Sequence, residues 1–227
     1  MEYLTVFDLA RFENVSPPKL KRWNFSLAFS ILPPDQKSAI NSVYNFCAYI
    51  DNIVDETPTN ELDAIVQKNN RLNKWVRVID QIYADELPSP LLLPFYFTVK
   101  RFSIPKQFFQ TLIDGCRRDL FQKRYRTFNE LKDYCYSVAS VVGLIVIEIF
   151  GHKYEETKNY AINLGYAMQL TNILRDVKKD KERGYIYLPL EDLERFNYTE
   201  EELLAEVYND NFVELMRFET QRARAYF

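Results

Sequence analysis

The segment from Gly165 to Asp180, GYAMQLTNILRDVKKD, carries four oxygen-bearing side chains at helical spacing. They are Gln169, Asn172, Asp176 and Asp180. A helix turns by about 100° per residue, so these side chains form one narrow stripe on a predicted helix. Carboxylate and amide oxygens suit a hard divalent cation such as Mg²⁺, which usually shares its ligands with substrate phosphates. Arg175 adds a cation whose fork geometry can grip a phosphate oxygen.

A single stripe of this kind is more often an exposed polar face, and a second pair of aspartates changes that interpretation. Asp51 and Asp55 are again four residues apart, within YNFCAYIDNIVDE. Their neighbours are mostly apolar, so we expect this helix to be buried, and buried carboxylates are costly unless they are compensated. Two such pairs predict acidic helices that face one another across a cavity, with metal ions and a diphosphate between them.

Composition predicts one all-α domain over residues 1–227. The chain is 47% hydrophobic, has only five glycines, and repeats its apolar residues at the helical period over long segments. The 15% aromatic content exceeds what a plain bundle core needs, so it predicts an aromatic-walled apolar cavity unless those rings simply pack in the core. The last helix stops in mid-pattern at Phe227, and we expect the chain to be truncated or to lack a helical segment there.

Prolines, glycines and capping residues divide the chain into helices. Thr127 with Glu130, and Thr199 with Glu202, each match the capping-box pattern at a helix start. The helices are predicted at 1–13, 35–55, 60–85, 105–120, 127–150 and 155–181 and from 209 onward, with an extended link over 184–189.

Charge and cysteine content restrict the partners and the compartment. A net charge of −3 argues against nucleic acid as a main partner. Cys47, Cys116 and Cys135 lack metal-ligand spacing and fit buried thiols in a reducing compartment. No signal segment opens the chain, and the apolar run Val138–Phe150 is too short to span a bilayer, so we expect a soluble, cytoplasmic protein. An apolar substrate would also bring it into peripheral contact with a membrane.

A basic cluster surrounds Asp119, and two explanations for it stay open: a solvated helix end, or a surface that faces a diphosphate. The cluster consists of Arg117, Arg118, Lys123, Arg124 and Arg126. His152, the only histidine, follows a helix-ending glycine. We predict that it is a loop residue, which disfavours histidine-based catalysis.

Four stretches, in this order, resemble the squalene/phytoene synthase family of head-to-head prenyl transferases. They are LAFSILPPDQKSAI, YNFCAYIDNIVDE, YRTFNELKDYCYSVASVVG and QLTNILRDVKKDKERGYIYLP. The resemblance extends from Asn24 through Arg217, and YCYSVASVVG and NILRD are most similar to the bacterial phytoene- and presqualene-type enzymes. It implies an all-helical isoprenoid-synthase bundle around a central apolar cavity, with two aspartate-rich motifs facing each other.

The resemblance also assigns site residues. It implies Mg²⁺ ligands at Asp51, Asp55, Asn172, Asp176 and Asp180, and the four carboxylates are also its catalytic residues, together with Tyr134. It implies that Tyr44, Tyr134, Gln169 and Arg175 line the diphosphate and cation region. It implies substrate contacts in the prenyl channel from Phe25, Val138, Ala139 and Gly143, and beside them from Asn24, which stands where a serine is common.

The implied reaction joins two prenyl diphosphates head to head. Metal ions would draw off one diphosphate and leave an allylic cation, in a cavity that excludes water. The double bond of the second prenyl diphosphate attacks, a cyclopropane closes, and the departing diphosphate or Tyr134 takes the proton. The sequence leaves open farnesyl or geranylgeranyl diphosphate as substrate, and a squalene-, dehydrosqualene- or phytoene-type product. It also leaves open any use of a nicotinamide and the oligomeric state.

Departures from the family pattern keep other hypotheses open. They are Ala48 and Tyr185 where arginines are usual, Asn52 where a second aspartate is usual, and Ser140 where glycine is common. The missing arginines favour a catalytically silent family member that acts as a binding or assembly module. A head-to-tail prenyl transferase or terpene cyclase is a third hypothesis, because the spacing of Asn172, Asp176 and Asp180 resembles a cyclase metal triad.

Overall fold

The computed structural model describes residues 3–18, 31–55 and 61–227, and within these ranges every regular element is helical. A 3₁₀ turn (Pro90–Leu92) precedes the fourth helix, and a π-helical turn (Tyr136–Ser140) joins the sixth to the seventh. The predicted all-α fold is therefore confirmed. The helices are α1 (Val6–Glu13), α2 (Pro34–Asp55), α3 (Leu62–Tyr83), α4 (Leu93–Arg101), α5 (Lys106–Arg118), α6 (Phe128–Cys135), α7 (Val141–Phe150), α8 (Glu156–Glu182), α9 (Leu190–Arg195), α10 (Glu200–Leu204) and α11 (Asp210–Arg224).

The capping predictions are confirmed in one case and half wrong in the other. Thr199 and Glu202 form the complete box, in which each side chain accepts a hydrogen bond from the other residue's backbone N–H. Thr127 accepts from the Glu130 N–H, but the Glu130 carboxylate accepts from the Arg126 N–H, 2.8 Å away, instead of reaching the cap.

The predicted helix over 127–150 is interrupted by the π-turn, which is pressed between α5 and α8. Two glycines make room for it. A Cβ on Gly115 would lie 2.6 Å from the Ser137 Cβ, and one on Gly165 would lie 2.4 Å from the Ser140 Cα. The buried Ser140 hydroxyl donates to the Ile162 carbonyl at 2.8 Å, so the hydroxyl is satisfied inside this packing. The widened turn therefore depends on small residues in two other helices.

We expect Gly165→Ala to lower the free energy of unfolding by about 2–3 kcal/mol, because the new methyl group would overlap backbone atoms of the π-turn. The measurement is urea denaturation followed by circular dichroism. Asn163→Ala, at an exposed position of the same helix, is the control and should change stability by less than about 0.5 kcal/mol. Equal stability of Gly165→Ala and the wild type would contradict this packing.

Four large aromatic side chains form a cluster in the core between α2, α3, α4 and α5. Phe46 stacks on Phe95 with ring centroids 4.7 Å apart, and its ring edges meet Trp75 and Phe109 at 5.7 and 5.5 Å. All four rings are fully buried. These contacts anchor α2 from behind, and they leave its opposite side to face the cavity described below.

One helix in the described part of the chain has the length and composition of a membrane span, Phe128–Phe150, which has 23 residues and contains an 18-residue window with a mean hydropathy of 1.6. The prediction that this region is too short to span a bilayer considered only the apolar run Val138–Phe150. It is wrong, because the helix begins ten residues earlier, at Phe128. The core helix of a soluble protein has the same properties, and this segment packs against α2, α5 and α8. We assign it to the core, while cytoplasmic location and peripheral membrane contact stay predictions.

Candidate active site

The two acidic motifs lie on the same cavity, which α2 and α8 line from two sides. Its volume of about 420 Å³ is within the range of small-molecule sites. The structure brings together the predicted polar residues Tyr44, Asp51, Asp55, Tyr134, Gln169, Asn172, Arg175, Asp176 and Asp180.

The cavity has a polar end and an apolar end. Aspartates occupy the C-terminal end of α2, whereas Ile40 and Val43 line the cavity nearer the start of that helix. The helical rise separates Ile40 from Asp51 by about 16 Å. The remaining apolar wall comes mainly from Leu112, Val138, Val142 and Val146. This shape suits a ligand with a charged head and a long apolar tail.

As far as the described residues form it, the apolar wall is aliphatic, and this part of the wall corrects the expectation of an aromatic-walled cavity. Among the described lining residues the aromatic ones are Tyr44, Tyr134 and Tyr187, all of which carry hydroxyl groups. Phenylalanines such as Phe46 and Phe95 pack in the core instead, because α2 buries them on the side away from the cavity.

The aspartates of α2 are also not buried as predicted. Asp51 and Asp55 are exposed, although Ile50, Ile53 and Val54 beside them are buried. The helix is buried on one side only, so the carboxylates stay solvated at the open end of the cavity. They therefore avoid the desolvation cost that the sequence interpretation assumed.

Two carboxylates of the acidic motifs, one on each helix, form ion pairs with arginines. Arg175 Nη2 lies 2.5 Å from Asp176 Oδ2, and this hydrogen bond is the main cause that lowers the pKa of the Asp176 carboxyl. Arg183 Nη2 lies 2.6 Å from Asp55 Oδ1 and so connects the end of α8 to the end of α2. Sequence analysis missed Arg183, although it lies three residues after Asp180 and extends the same stripe.

Asp119 is the second site residue that sequence analysis missed, because the sequence singled it out only as the centre of a basic cluster. It lines the cavity beyond the end of α5. Its carboxylate oxygens accept hydrogen bonds from the hydroxyls of Tyr134, at 2.8 Å, and Tyr187, at 3.1 Å. Burial, more than any other effect, raises the pKa of the Asp119 carboxyl to about 7, and the two tyrosine hydrogen bonds oppose that rise. No local pattern could reveal this cluster, because it joins three segments distant in sequence.

The basic cluster around Asp119 does not face the cavity, which favours the structural explanation. Arg117 bonds to the side chain of Asn73 at 2.8 Å, and Arg124 bonds to Glu200 at 2.5 Å and to the Gly184 carbonyl at 2.6 Å. None of the five basic residues is among the cavity-lining residues in the described ranges. These contacts hold helix ends and the extended link in place.

The channel residues implied by resemblance divide into three groups. Val138 lines the cavity. Ala139 and Gly143 are not among its described lining residues, and Gly143 instead packs against α8, where a Cβ would lie 2.8 Å from the Ala161 carbonyl oxygen. Asn24 and Phe25 lie outside the described residues.

The predicted Mg²⁺ ligands are divided between two walls. In the parts of the chain that the structure describes, no group of three or more His, Cys, Asp or Glu side chains could hold a metal ion by itself. Mg²⁺ keeps several waters and is commonly bound through one or two carboxylates plus substrate phosphates. The cavity offers two carboxylates on α2, and two carboxylates with the Asn172 amide on α8. This divided set of ligands fits an ion that arrives bound to a diphosphate.

Comparison with known proteins identifies the family. A family profile described as squalene/phytoene synthase matches residues 19–227. This chain belongs to the squalene/phytoene synthase family. The 15-cis-phytoene synthase of Synechocystis sp. is 40% identical, over 89% of this chain and 62% of the relative's length. The chain therefore spans less than two thirds of that squalene/phytoene synthase relative.

Two solved structures of the squalene/phytoene synthase family share the fold. Squalene synthase HpnC from Alicyclobacillus acidocaldarius superimposes with a TM-score of 0.77 at 30% identity, covering 89% of this chain and 74% of that one. A dehydrosqualene synthase in complex with ligand gives a TM-score of 0.78 at 28% identity, covering 97% and 73%. The isoprenoid-synthase type of helical fold is confirmed.

Several departures from the squalene/phytoene synthase pattern have visible places in the structure. Ala48 and Asn52 line the cavity beside the α2 aspartates. Tyr185 stacks on Tyr187, with ring centroids 5.8 Å apart, and donates a hydrogen bond to the Asp119 carbonyl at 2.7 Å. Ser140 is accommodated because Gly165 opposite it has no side chain.

Proposed function

We propose that this chain forms the site of an Mg²⁺-dependent enzyme that joins two prenyl diphosphates head to head. The observation that carries the proposal is the position of two acidic motifs at the polar end of one apolar cavity, in a member of this family. Relatives named phytoene synthase, squalene synthase and dehydrosqualene synthase support this reaction class.

The residues at the polar end would bind and orient the diphosphates. Mg²⁺, held by the α2 and α8 carboxylates with Asn172, would neutralise charge on the departing diphosphate. Arg175 and Arg183 are both available to a diphosphate once it competes for their carboxylate partners, and guanidinium groups bind phosphate oxygens in a fork. These two cations lie on the same cavity as Ala48, where the usual arginine is missing.

The apolar end would hold the prenyl chains and protect the allylic cation from water. Its described apolar wall is mainly aliphatic and would enclose the prenyl chains. Farnesyl and geranylgeranyl diphosphate both remain candidates. We propose a cyclopropylcarbinyl diphosphate as the first product, followed by a squalene-, dehydrosqualene- or phytoene-type hydrocarbon.

The test is incubation of the purified chain with farnesyl or geranylgeranyl diphosphate, with and without Mg²⁺, followed by mass analysis of the extracted products. We expect metal-dependent release of diphosphate and a product that contains two prenyl units. No product and no diphosphate release would refute the proposal. A longer linear prenyl diphosphate or a cyclised single unit would indicate head-to-tail or cyclase chemistry instead.

The second candidate function is that of a silent binding or assembly module, which Ala48 favours. Calorimetry with a non-hydrolysable prenyl diphosphate analogue separates the two candidates, because a silent module has no need for a metal-dependent diphosphate site. We expect binding that requires Mg²⁺. Binding that is equal with and without Mg²⁺, in a chain that shows no turnover, would favour the module.

A further inference from the structure

Asp119 lies directly behind a tyrosine that lines the reaction cavity. Tyr134 donates its hydroxyl to Asp119 Oδ2 at 2.8 Å, and Tyr187 donates to Oδ1 at 3.1 Å. Asp119, Tyr134 and Tyr187 all line the cavity. Each carboxylate oxygen therefore has a short hydrogen-bonded connection to a hydroxyl group in the cavity wall.

Ring stacking fixes the geometry of this cluster. The rings of Tyr134 and Tyr187 stack with centroids 5.4 Å apart, and Tyr125 contacts them at 5.4 and 5.7 Å. Tyr185 extends the stack, and its hydroxyl donates to the Asp119 backbone carbonyl at 2.7 Å. Both the side chain and the backbone of Asp119 are thus held by tyrosine hydroxyls.

The Asp119 carboxylate is anchored by neutral donors, and among the described residues it forms no salt bridge. The aspartates of the α2 motif, Asp51 and Asp55, add negative charge nearby. Burial is the largest cause that raises the pKa of the Asp119 carboxyl to about 7, against an ordinary value near 4, whereas the charges of Asp51 and Asp55, which Mg²⁺ would offset, add less. A carboxylate with such a pKa accepts a proton more readily at neutral pH than an ordinary aspartate does.

We infer that Asp119 accepts, through the hydroxyl of Tyr134, the proton that is released when the cyclopropane ring closes. This inference rests on the proposed head-to-head reaction. Ring closure breaks a C–H bond at C1 of the ionised prenyl unit, and the electron pair of that bond forms the new ring bond. The proton moves to the Tyr134 oxygen while the proton of the Tyr134 hydroxyl moves to Asp119 Oδ2. The tyrosine ends neutral, and Asp119 ends as a carboxylic acid.

Tyr134 alone cannot complete this step. A neutral phenol that accepts a proton without releasing one becomes an oxonium ion, which an apolar cavity does not stabilise. The alternative, a tyrosinate base, is disfavoured because burial raises the pKa of Tyr134 well above its ordinary value. An acceptor behind the hydroxyl removes both obstacles, and Asp119 is the group that accepts its hydrogen bond.

The surroundings of Asp119 determine what a pH profile can report. The pKa values of Tyr134, Tyr187 and Cys116 are all raised, mainly by burial, so these groups titrate far above neutral pH. A transition near pH 7 in this cluster therefore reports on Asp119. The charged and titratable groups that face it or its tyrosines are Asp51, Asp55, Cys116, Arg118, Lys123, Tyr125, Tyr134, Cys135, Asp180, Arg183, Tyr185 and Tyr187.

The experiment compares Asp119→Asn with the wild type, using a prenyl diphosphate carrying deuterium at C1. We expect kcat to fall by about 10²-fold or more with KM changed less than about threefold, as for loss of a proton acceptor. The deuterium isotope effect should rise because C–H cleavage becomes rate-limiting, and the limb of the kcat profile near pH 7 should disappear. Asp133→Asn, an exposed carboxylate next to Tyr134 in sequence, is the control and should keep wild-type kinetics.

A second variant keeps the test valid if Asp119→Asn folds poorly. Tyr134→Phe preserves the ring and removes the hydroxyl that connects substrate to Asp119, so it should show the same fall in kcat and the same rise in isotope effect. The double variant should lose no more activity than either single one, because both break one path. Additive losses, or an unchanged isotope effect in the single variants, would assign the proton to the departing diphosphate and overturn the inference.

Infrared spectroscopy separates this inference from the proposed function. In the wild type, the band of a protonated carboxyl group should titrate near pH 7, and it should be missing in Asp119→Asn. Turnover without such a band would refute the acceptor while leaving the proposed function intact. If the band titrates but the protein consumes neither farnesyl nor geranylgeranyl diphosphate, the proposed head-to-head reaction is refuted. Asp119 would then still be a group that accepts a proton near pH 7.

Discussion

Replacing Asp176 with asparagine should lower the turnover of prenyl diphosphate by about 10³-fold or more, and Asp51→Asn should do the same. Each change removes one negative oxygen from one wall of the polar end, where the metal and diphosphate charges would be balanced. Metal-assisted charge stabilisation of several kcal/mol corresponds to rate losses of this size. The measurement is diphosphate release at saturating substrate, together with the Mg²⁺ concentration that gives half-maximal rate.

The fold should tolerate these two changes. Asp51 is exposed, and Asp176 pairs with Arg175, whose side chain is 64% exposed, so the pair adds at most about 1 kcal/mol to stability. Glu182→Gln is the matched control, because this exposed carboxylate lies on the same helix but does not line the cavity. Wild-type rates in both aspartate variants would show that the acidic motifs are not the reaction site.

The parts of the site that could be predicted from sequence are those set by local helical spacing. The stripe of Asn172, Asp176 and Asp180 depends only on the rotation of α8, and the pair on α2 follows in the same way. We predicted that the two motifs share one cavity because burying two uncompensated pairs of carboxylates would be costly. The cavity does unite them, although the exposure of the α2 aspartates already lowers that cost.

The features that sequence analysis missed depend on contacts between distant segments. Asp119 becomes a special carboxylate only when Tyr134 from α6 and Tyr187 from the link after α8 reach it. The π-turn likewise requires Gly115 and Gly165 from two other helices. In both cases the local sequence is compatible with an ordinary helix or helix end, and tertiary packing decides the outcome.

Replacing Arg222 with methionine should lower the free energy of unfolding by about 3–5 kcal/mol. Arg222 on α11 binds Asp192 on α9 at 2.6 and 3.1 Å, and it binds both oxygens of Glu219 at 2.9 and 3.0 Å. Both carboxyl side chains are buried, with 4% and 3% exposure, and the guanidinium lies 4.0 Å from the centroid of the Phe128 ring. The variant leaves the buried Asp192 carboxylate without a counter-charge, and it leaves both buried carboxyl groups without their hydrogen-bond donor.

The loss should depend on pH, and the sign follows from Glu219. Burial raises the pKa of Glu219 from 4.5 to about 8, so the folded protein holds a proton there that the unfolded chain releases. The proton on Glu219 therefore stabilises the folded protein fully below about pH 4.5. This stabilisation decreases as the pH rises and is lost once the pH passes about 8. Because Arg222 opposes that pKa shift, its removal should raise the pKa of Glu219 further, so the two proteins diverge once the pH passes about 8, and the stability deficit of Arg222→Met should be larger at about pH 9.5 than at about pH 7.

Urea denaturation of Arg222→Met and Arg217→Met at both pH values tests this account. Arg217 forms the same kind of pair with Glu214, three residues before it on α11, but these two side chains are 57% and 55% exposed. Solvent screens such a pair, so Arg217→Met should cost less than about 1 kcal/mol at either pH. Because helix, residue type and spacing are shared, the difference between the variants measures what burial, the Asp192 bonds and the Phe128 contact add to the pair. Equal losses would mean that Asp192 and Glu219 do not depend on Arg222 for their charge balance.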